Sequence, residues 1–228
     1  MDATLSRPVA ALSVDDRATF ITRTYGHLLG AILLFVGIEV FLFQSGLAAP
    51  MAAAMLGVNW LLVLGGFVVV SWLASRAANS SMSQPVQYLA LGGFVLAQAI
   101  IFVPLLYIAD SYAPGAIQSA AVVTMIGFAA LTGIVFTTRK DFSFMGSMLR
   151  WGFVIALVAI VAGVLFGFQL GTWFSVAMVA LAGGAILYDT SNILHHYPED
   201  RYVSAALQLF ASVALLFWYV LSIFTSRR

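Results

Sequence analysis

Long apolar runs separated by short polar breaks make up the chain from residue 20 onward. A helix needs about 20 mostly apolar residues to cross the roughly 30 Å hydrocarbon core of a bilayer. Unbroken runs of this length are typical of membrane helices, whereas strands of a membrane β-barrel alternate apolar and polar residues. The pattern predicts an all-α integral membrane protein, a bundle with seven spans at residues 20–43, 53–74, 86–108, 116–137, 145–166, 171–190 and 203–224.

The breaks between the runs carry the Gly, Pro, Ser and Asp residues that favour turns. They divide the chain into a polar N-terminal tail (residues 1–19), a transmembrane domain (20–224) and a short C-terminal tail (225–228). The least certain boundary separates spans five and six, where only Gly167 to Gly171 lie between two apolar runs. Two antiparallel helices at this point require a tight turn.

The basic residues predict the orientation of the bundle, because cytoplasmic loops of membrane proteins are enriched in Lys and Arg. With the N-terminus in the cytoplasm, the basic residues of the tail and inner loops all fall inside: Arg7, Arg17, Arg76, Arg139, Lys140 and Arg201. Only Arg227 and Arg228 fall outside. The alternative has six spans and a cytoplasmic C-terminus, and it requires the Asp189 region or the last helix to be re-entrant.

Composition supports the membrane assignment and excludes several functions. The chain is 62% hydrophobic and 8% charged, whereas soluble domains have about 25% charged residues. It has no cysteine, which excludes disulfides, thiolate metal sites and cysteine nucleophiles. A net charge of +1 gives no indication of nucleic-acid binding.

Asp189 is the most informative residue, because it interrupts the apolar run in GAILYDTSNIL (184–194). An acid inside a membrane helix is costly and needs a partner, a proton or an ion. Its neighbours Tyr188 and Thr190 add hydrogen-bonding groups, so the segment is a candidate proton- or ion-sensing site. The alternative is a solvated acid that only ends the helix, although the negative end of the helix dipole disfavours an acid there.

Arg23 and His27 share one face of span one, since residues four apart in a helix are neighbours. Arg23 lies near the predicted cytoplasmic rim, where it can reach Asp189 as a latch. Equally, Arg23 can extend its charge to the interface while His27 packs in the bundle.

Two further residues on the spans have a functional and a plainer interpretation. Glu39 either lines the outer mouth of a pathway or reaches the membrane interface, and the second is favoured. Pro104 removes a backbone donor from span three, which makes it a candidate hinge, although membrane helices often tolerate proline.

Enzyme signatures are absent from the sequence, and no catalytic residues or cofactor are predicted. The sequence has no His-Glu-x-x-His, Gly-x-Ser-x-Gly or Gly-x-x-x-x-Gly-Lys motif. The pair His195-His196, followed by Glu199 and Asp200, is better explained as a solvated loop than as a metal site. The chain is therefore not expected to be an enzyme or a metalloprotein.

Three stretches together resemble the Bax inhibitor-1 (transmembrane Bax inhibitor motif) family. They are TRTYGHLLGAI (22–32), TTRKDFSFMGSML (137–149) and GAILYDTSNIL (184–194). The second stretch and the segment SAALQLFASVALLFWYVLSIF (204–224) are most similar to the bacterial YccA branch. The resemblance implies a location in the bacterial inner membrane and a seven-helix bundle in which the last helix is central.

The resemblance implies one function through Asp189. Family members act as pH-sensitive calcium leak pathways, in which two aspartates on the last two spans share a proton. Asp189 matches the first aspartate, but Ser212 occupies the second position, and Leu215 stands where an Asn is expected. One carboxylate opposite a hydroxyl cannot share a proton as two carboxylates do, and it offers less charge to Ca²⁺. This departure from the family pattern counts against a calcium leak with the familiar pH switch. No cofactor is implied, and Ca²⁺ is a candidate permeant ion alone.

The YccA branch implies a different function, namely modulation of the membrane ATP-dependent protease FtsH. In that branch a polar N-terminal tail allows the protease to grip the protein, and residues 1–19 would serve here. The sequence therefore favours a modulator of FtsH in membrane-protein quality control, with a cation leak gated at Asp189 as the alternative.

Overall fold

The structure is a computed structural model and describes residues 8–80 and 83–226. A short 3₁₀ helix at Val9–Ala11 precedes eight α-helices. In chain order these are α1 (Val14–Gln44), α2 (Ala48–Leu56), α3 (Trp60–Ser80), α4 (Gln84–Tyr112), α5 (Ala116–Thr138), α6 (Met145–Phe166), α7 (Gly171–His195) and α8 (Tyr202–Ser226).

Seven of these helices, all except α2, are long and apolar enough to cross a membrane, which confirms the predicted all-α bundle. The predicted start of span two at residue 53 was wrong. Residues 48–56 form the separate helix α2, and α3 begins only at Trp60. Asn59 separates the two helices, because its side-chain oxygen accepts a hydrogen bond from the Leu61 N–H at 2.9 Å and so caps α3.

The first span also begins earlier than the apolar pattern indicates. Ser13 caps α1 by accepting a hydrogen bond from the Asp16 N–H at 3.2 Å, and Asp15 and Asp16 suit the positive end of the helix dipole. Residues 14–19 of the predicted tail are therefore helical. Arg7, Arg227 and Arg228 lie outside the described residues.

The last helix is central, as the resemblance implies. α8 packs against α1, α3, α4, α5 and α7, whereas α6 packs against α7 and α3. Buried residues therefore occur around much of α8, while many large apolar side chains of the outer helices remain exposed, as lipid-facing side chains are.

The turn between α6 and α7 is as tight as the sequence requires. Gly167 (φ 74°) and Gly171 (φ 68°) adopt the left-handed backbone conformation that favours glycine. α6 and α7 therefore run antiparallel as two separate spans.

We name the two ends of the bundle the basic end and the α2 end. The basic end contains the start of α1, the α3–α4 junction and the loops at residues 139–144 and 196–201. The α2 end contains α2 and the turns at residues 113–115 and 167–170.

Candidate functional site

Asp189 lies six residues before the end of α7, buried inside the bundle with 3% of its surface exposed. Its Oδ2 accepts a hydrogen bond from the Ser212 Oγ of α8 at 2.5 Å. The acid and the residue at the second family position are therefore brought together across α7 and α8. Because Ser212 is a hydroxyl, the pair holds a single carboxyl group.

Three further hydroxyl groups lie around this acid. The Tyr25 hydroxyl of α1 faces those of Thr132 on α5 and Thr190 on α7, and it is close enough to Asp189 to interact electrostatically. All three are buried, and none makes a hydrogen bond of regular geometry. Buried hydroxyls usually find a partner, because an unpaired one loses its hydration without compensation. We call Asp189, Ser212, Tyr25, Thr132 and Thr190 the acid chamber.

The chemistry of the acid chamber suits a proton better than calcium. A single carboxyl surrounded by hydroxyl groups can bind a proton and offer it hydrogen-bonding partners. Calcium sites usually combine six to eight oxygen ligands, with more than one carboxylate. Within residues 8–80 and 83–226, no three or more His, Cys, Asp or Glu side chains are grouped so as to hold a metal ion.

The sequence indicated some members of this chamber and missed others. Asp189, Thr190 and Ser212 were predicted from the cost of a buried acid and from the family pattern. Tyr25 lies in the quoted stretch TRTYGHLLGAI, so the family resemblance was a signal for it. Thr132 had no signal, since an isolated Thr in a membrane helix is common.

Arg23 does not form the predicted latch with Asp189. Its guanidinium lies 5.5 Å from the centre of the Tyr202 ring, and neither of the two ion pairs between described residues includes Arg23 or Asp189. The stacking on Tyr202 holds Arg23 on the exposed side of α1. Cation–π contacts of this kind stabilise an Arg at little desolvation cost.

His27 belongs to the same surface cluster as Arg23. One ring nitrogen, Nε2, lies 2.8 Å from the Tyr88 hydroxyl, and the other, Nδ1, lies 2.7 Å from the Arg23 carbonyl oxygen. This histidine therefore ties α1 to α4 and is not in contact with the acid chamber.

The remaining candidate residues, Tyr188, Pro104 and Glu39, are not brought together at one site. Tyr188 packs against Gly146 of α6, where an added Cβ would lie 2.9 Å from its ring. Pro104 is buried, and α4 continues through it without interruption. Glu39 does not reach the interface but is buried on α1, in a separate location from the acid chamber.

A second polar cluster lies next to the chamber, in the loop at residues 139–144. Ser191, two residues beyond Asp189, accepts a hydrogen bond from the Phe142 N–H at 2.8 Å and donates one to Asp141 Oδ1 at 3.3 Å. The other Asp141 oxygen lies 2.9 Å from His196 Nε2. The Ser143 backbone N–H, together with the Ser143 hydroxyl and His196, lowers the pKa of Asp141 to about 2.

The three stretches that carry the family resemblance therefore meet at the basic end. Tyr25 comes from the first, Asp141 from the second, and Asp189 and Ser191 from the third. His196, from the His-His pair singled out in the sequence, pairs with the distant Asp141.

The N-terminal segment closes this end of the bundle. Val9 is fully buried, and its N–H donates to the Tyr197 carbonyl oxygen at 2.9 Å. Arg17 donates to the carbonyl oxygens of Val9 and Ala10 at 3.3 and 2.8 Å. Burial raises the pKa of the Tyr197 phenol, and nearby Asp189 adds to this effect, so Tyr197 remains neutral beside the chamber.

Arg201 completes the basic end by joining the α7–α8 loop to α3. Its guanidinium donates to the carbonyl oxygens of Ala78 and Asn79. Ser204 donates to the Asn79 side chain at 2.6 Å. These contacts fix the start of the central helix.

Comparison with known proteins gives matches along nearly the whole chain. The family model described as inhibitor of apoptosis-promoting Bax1 matches residues 17–228. An uncharacterised protein of Pseudomonas aeruginosa is 32% identical over 206 residues, which are 88% of this chain and 86% of that protein. The Golgi anti-apoptotic protein of vaccinia virus is 24% identical over 220 residues, 94% of this chain and 88% of the viral protein.

Another relative is named for its effect on a protease. The modulator of FtsH protease YccA of Escherichia coli K12 is 38% identical over 107 residues. This match spans 46% of the present chain and 48% of YccA.

Proposed function

The chain belongs to the Bax inhibitor-1 family, and on this basis we propose that it is an inner-membrane modulator of the protease FtsH rather than an enzyme. The observation that carries the proposal is the 38% identity to a protein named as a modulator of FtsH, over about half of each chain. The N-terminus lies in the cytoplasm in this proposal.

The arrangement of the basic residues supports that orientation. Arg17, Arg139, Lys140 and Arg201 all lie at the basic end, and positive charge in short loops favours the cytoplasmic side. An FtsH complex that acts from the cytoplasm would then meet the polar cluster of Asp141 and His196, which is about half exposed.

The docked N-terminal segment sharpens the idea of a protease handle. Val9 is held against Tyr197, and Arg17 donates hydrogen bonds to the carbonyl oxygens of Val9 and Ala10. A protease that grips any part of the tail from residue 8 onward must first detach this segment. The proposed handle is therefore not freely available along the whole of residues 1–19.

Gentle crosslinking in native membranes, followed by purification of the full chain, tests the FtsH proposal. We expect FtsH to co-purify, and its capture to increase in Val9→Asp, which detaches the segment. Val14→Asp is the matched control, because Val14 is 85% exposed. Failure to recover FtsH with the wild-type chain would contradict the proposal.

We also propose, as a second candidate, a pH-sensitive cation leak gated at Asp189. The specific observation that favours it is a single buried acid, hydrogen-bonded across α7 and α8, beside three hydroxyl groups without regular partners. Loss of a proton would place a charge in the bundle, and that charge favours hydration and loosening of the α7–α8 contact. With one carboxyl in the chamber, the proton is a better candidate than Ca²⁺ for the conducted ion.

Ion flux into proteoliposomes tests this candidate. Proton and calcium flux would be measured between acidic and alkaline pH for the wild type, Asp189→Asn and Asp189→Ala. We expect pH-dependent proton flux in the wild type and pH-independent flux in Asp189→Asn, which mimics the protonated acid. Ser212→Asp places a second acid beside Asp189 and should add calcium flux. Wild-type flux equal to that of empty vesicles would exclude the leak.

A further inference from the structure

Glu39 is a second buried acid, and the acid chamber does not explain it. It lies on the buried stripe of α1, which also contains Leu28, Ala31, Phe35 and Leu42. Only 7% of its surface is exposed, and both carboxyl oxygens are covered and make no hydrogen bond. Asp189 by contrast has the Ser212 hydroxyl as a partner.

Glu39 and Asp189 lie on opposite sides of the central helix. Phe35, one turn before Glu39, packs on Phe210 of α8 with ring centres 6.2 Å apart. Phe210 and Ser212 are two residues apart, and at 3.6 residues per turn they point about 200° apart. Because Ser212 contacts Asp189, the side of α8 that faces the Glu39 stripe points away from the acid chamber.

The helices packed against α1 bring no charged partner to Glu39. α2 has the sequence AAPMAAAML and contains no titratable side chain. At this end α4 offers Tyr107 and the exposed Asp110 and Tyr112. α8 offers Tyr219, which lines a separate cavity beside Trp60. The titratable groups of α7 are Tyr188, Asp189 and His195, and they lie in its last two turns, toward the basic end. Neither ion pair between described residues includes Glu39.

An acid in this setting has few ligands available to it. A carboxylate buried without a partner is strongly disfavoured. A metal ion needs several oxygen ligands, and the part of the chain that the structure describes groups no three His, Cys, Asp or Glu side chains that could hold one. A proton is the ligand that removes the charge without requiring any other group.

We propose that Glu39 is a second proton-binding site, independent of Asp189, that exchanges its proton with the compartment at the α2 end. It lies five residues before the end of α1. Ala48 and Ala52 of α2 cover Leu42 in one apolar cluster, and Leu42 is one turn beyond Glu39. Helix α2 therefore covers the short route from Glu39 to that end of the bundle, and proton exchange requires α2 to move.

Chemical modification with an apolar carbodiimide tests the site. Dicyclohexylcarbodiimide adds to carboxylic acids that hold a proton in apolar surroundings, and mass spectrometry of peptides locates the adduct. We expect modification of Glu39 in the folded full chain at about pH 6 that a water-soluble carbodiimide does not reproduce, while the exposed Asp110 shows the opposite preference. Asp189→Asn should leave modification of Glu39 unchanged, and Glu39→Gln should remove it.

A second measurement covers the case in which the reagent does not reach the site. Glu39→Gln keeps the size of the side chain and removes the titration. The wild type should lose thermal stability as the pH rises above about 4, because the unfolded chain then ionises this acid while the folded chain keeps its proton, and the variant should lose less. An unmodified Glu39, or one that reacts with the water-soluble reagent, together with identical pH profiles of stability, would overturn the proposal. Neither readout depends on FtsH binding or on ion flux, so the result stands apart from the proposed function.

Discussion

The two ends of the bundle are held together by different interactions. At the basic end, polar contacts join separate elements, such as Asp141 to His196 and Arg201 to the backbone of Asn79. At the α2 end the described side-chain hydrogen bonds are local, such as Ser45 to the Leu42 carbonyl oxygen. There the packing comes from aromatic rings, with Phe102 at the centre of a group that includes Phe35 and Trp218.

The difference indicates that the two ends of the bundle serve different purposes. Lipid-embedded helices gain little from burial of apolar surface alone, so close packing and polar contacts between helices stabilise them. Close aromatic packing forms the core of the α2 half. The basic end carries polar connections, among them the contact between Asp141 and His196, and it holds the docked N-terminal segment. The basic end is therefore the better candidate for regulation.

Replacement of Phe102 by Ala should have the largest effect on stability. Phe102 is 1% exposed, and its ring centre lies 5.2 Å from Phe35, 5.6 Å from Phe217 and 4.9 Å from Trp218. We expect a loss of about 3 kcal/mol in the free energy of unfolding, because the substitution extends a neighbouring cavity of about 420 Å³. Unfolding in mixed micelles measures it. Leu89→Ala, at an exposed site on the same helix, should change the free energy of unfolding little. Equal losses in the two variants would show that the aromatic group contributes no more to stability than an exposed apolar residue.

Val9→Asp should come second and act locally. A charge at this fully buried position should detach the segment from Tyr197 at a cost of about 2 kcal/mol. Hydrogen exchange at the backbone N–H of residue 9, which donates to the Tyr197 carbonyl oxygen, should accelerate, while unfolding of the helices remains nearly unchanged. Val14→Asp serves as the control, and a rate that rises equally in both variants would show that the segment is already loose.

Ser212→Ala tests the contact between the two central elements of the chamber. Loss of the 2.5 Å hydrogen bond should lower the free energy of unfolding by about 1–2 kcal/mol, because Asp189 remains buried without its donor. Ser222→Ala is a matched control on α8, since Ser222 bonds only to its own helix at the Trp218 carbonyl oxygen. A loss in the free energy of unfolding no greater than that of the control would mean that the hydrogen bond contributes nothing to stability.

Asp141→Asn should give the smallest effect, and one that depends on pH. The folded-state pKa of Asp141, about 2, lies below its ordinary value of 3.8, so its ionised form stabilises the fold above about pH 4. This contribution disappears as the pH falls toward 2. The difference in stability between wild type and variant should therefore be a few tenths of a kcal/mol at neutral pH, since the group is 45% exposed, and should vanish in acid. A constant difference across this range would contradict the assignment.

The sequence predicted most of the helices because a membrane span leaves a long apolar run. It failed between residues 53 and 59 because α2 is as apolar as a span, and only Gly57 to Asn59 separate it from α3. The earlier start of α1 was missed for the opposite reason. Its first turn is polar, and the Ser13 cap stabilises it rather than any apolar stripe.

The candidate site was predictable only in part. Asp189 was evident because an acid in an apolar run is costly, and Ser212 because the family pattern supplied its register. Tyr25 and Thr132 join the chamber through the rotation of α1 and α5 about their axes, which depends on packing among several helices. Arg23 has a long side chain, and its sequence position allows a contact with either Asp189 or Tyr202. Only the three-dimensional arrangement shows that it stacks on Tyr202.

The central position of α8 has a consequence for biosynthesis. α8 follows the other seven helices in the chain, so a ribosome delivers the core of the bundle after its surroundings. Until then, the faces of α1, α4, α5 and α7 that meet α8 have no partner within the chain. Assembly is therefore completed in one late step, and a nascent chain stalled before residue 202 would present an open bundle to the cell.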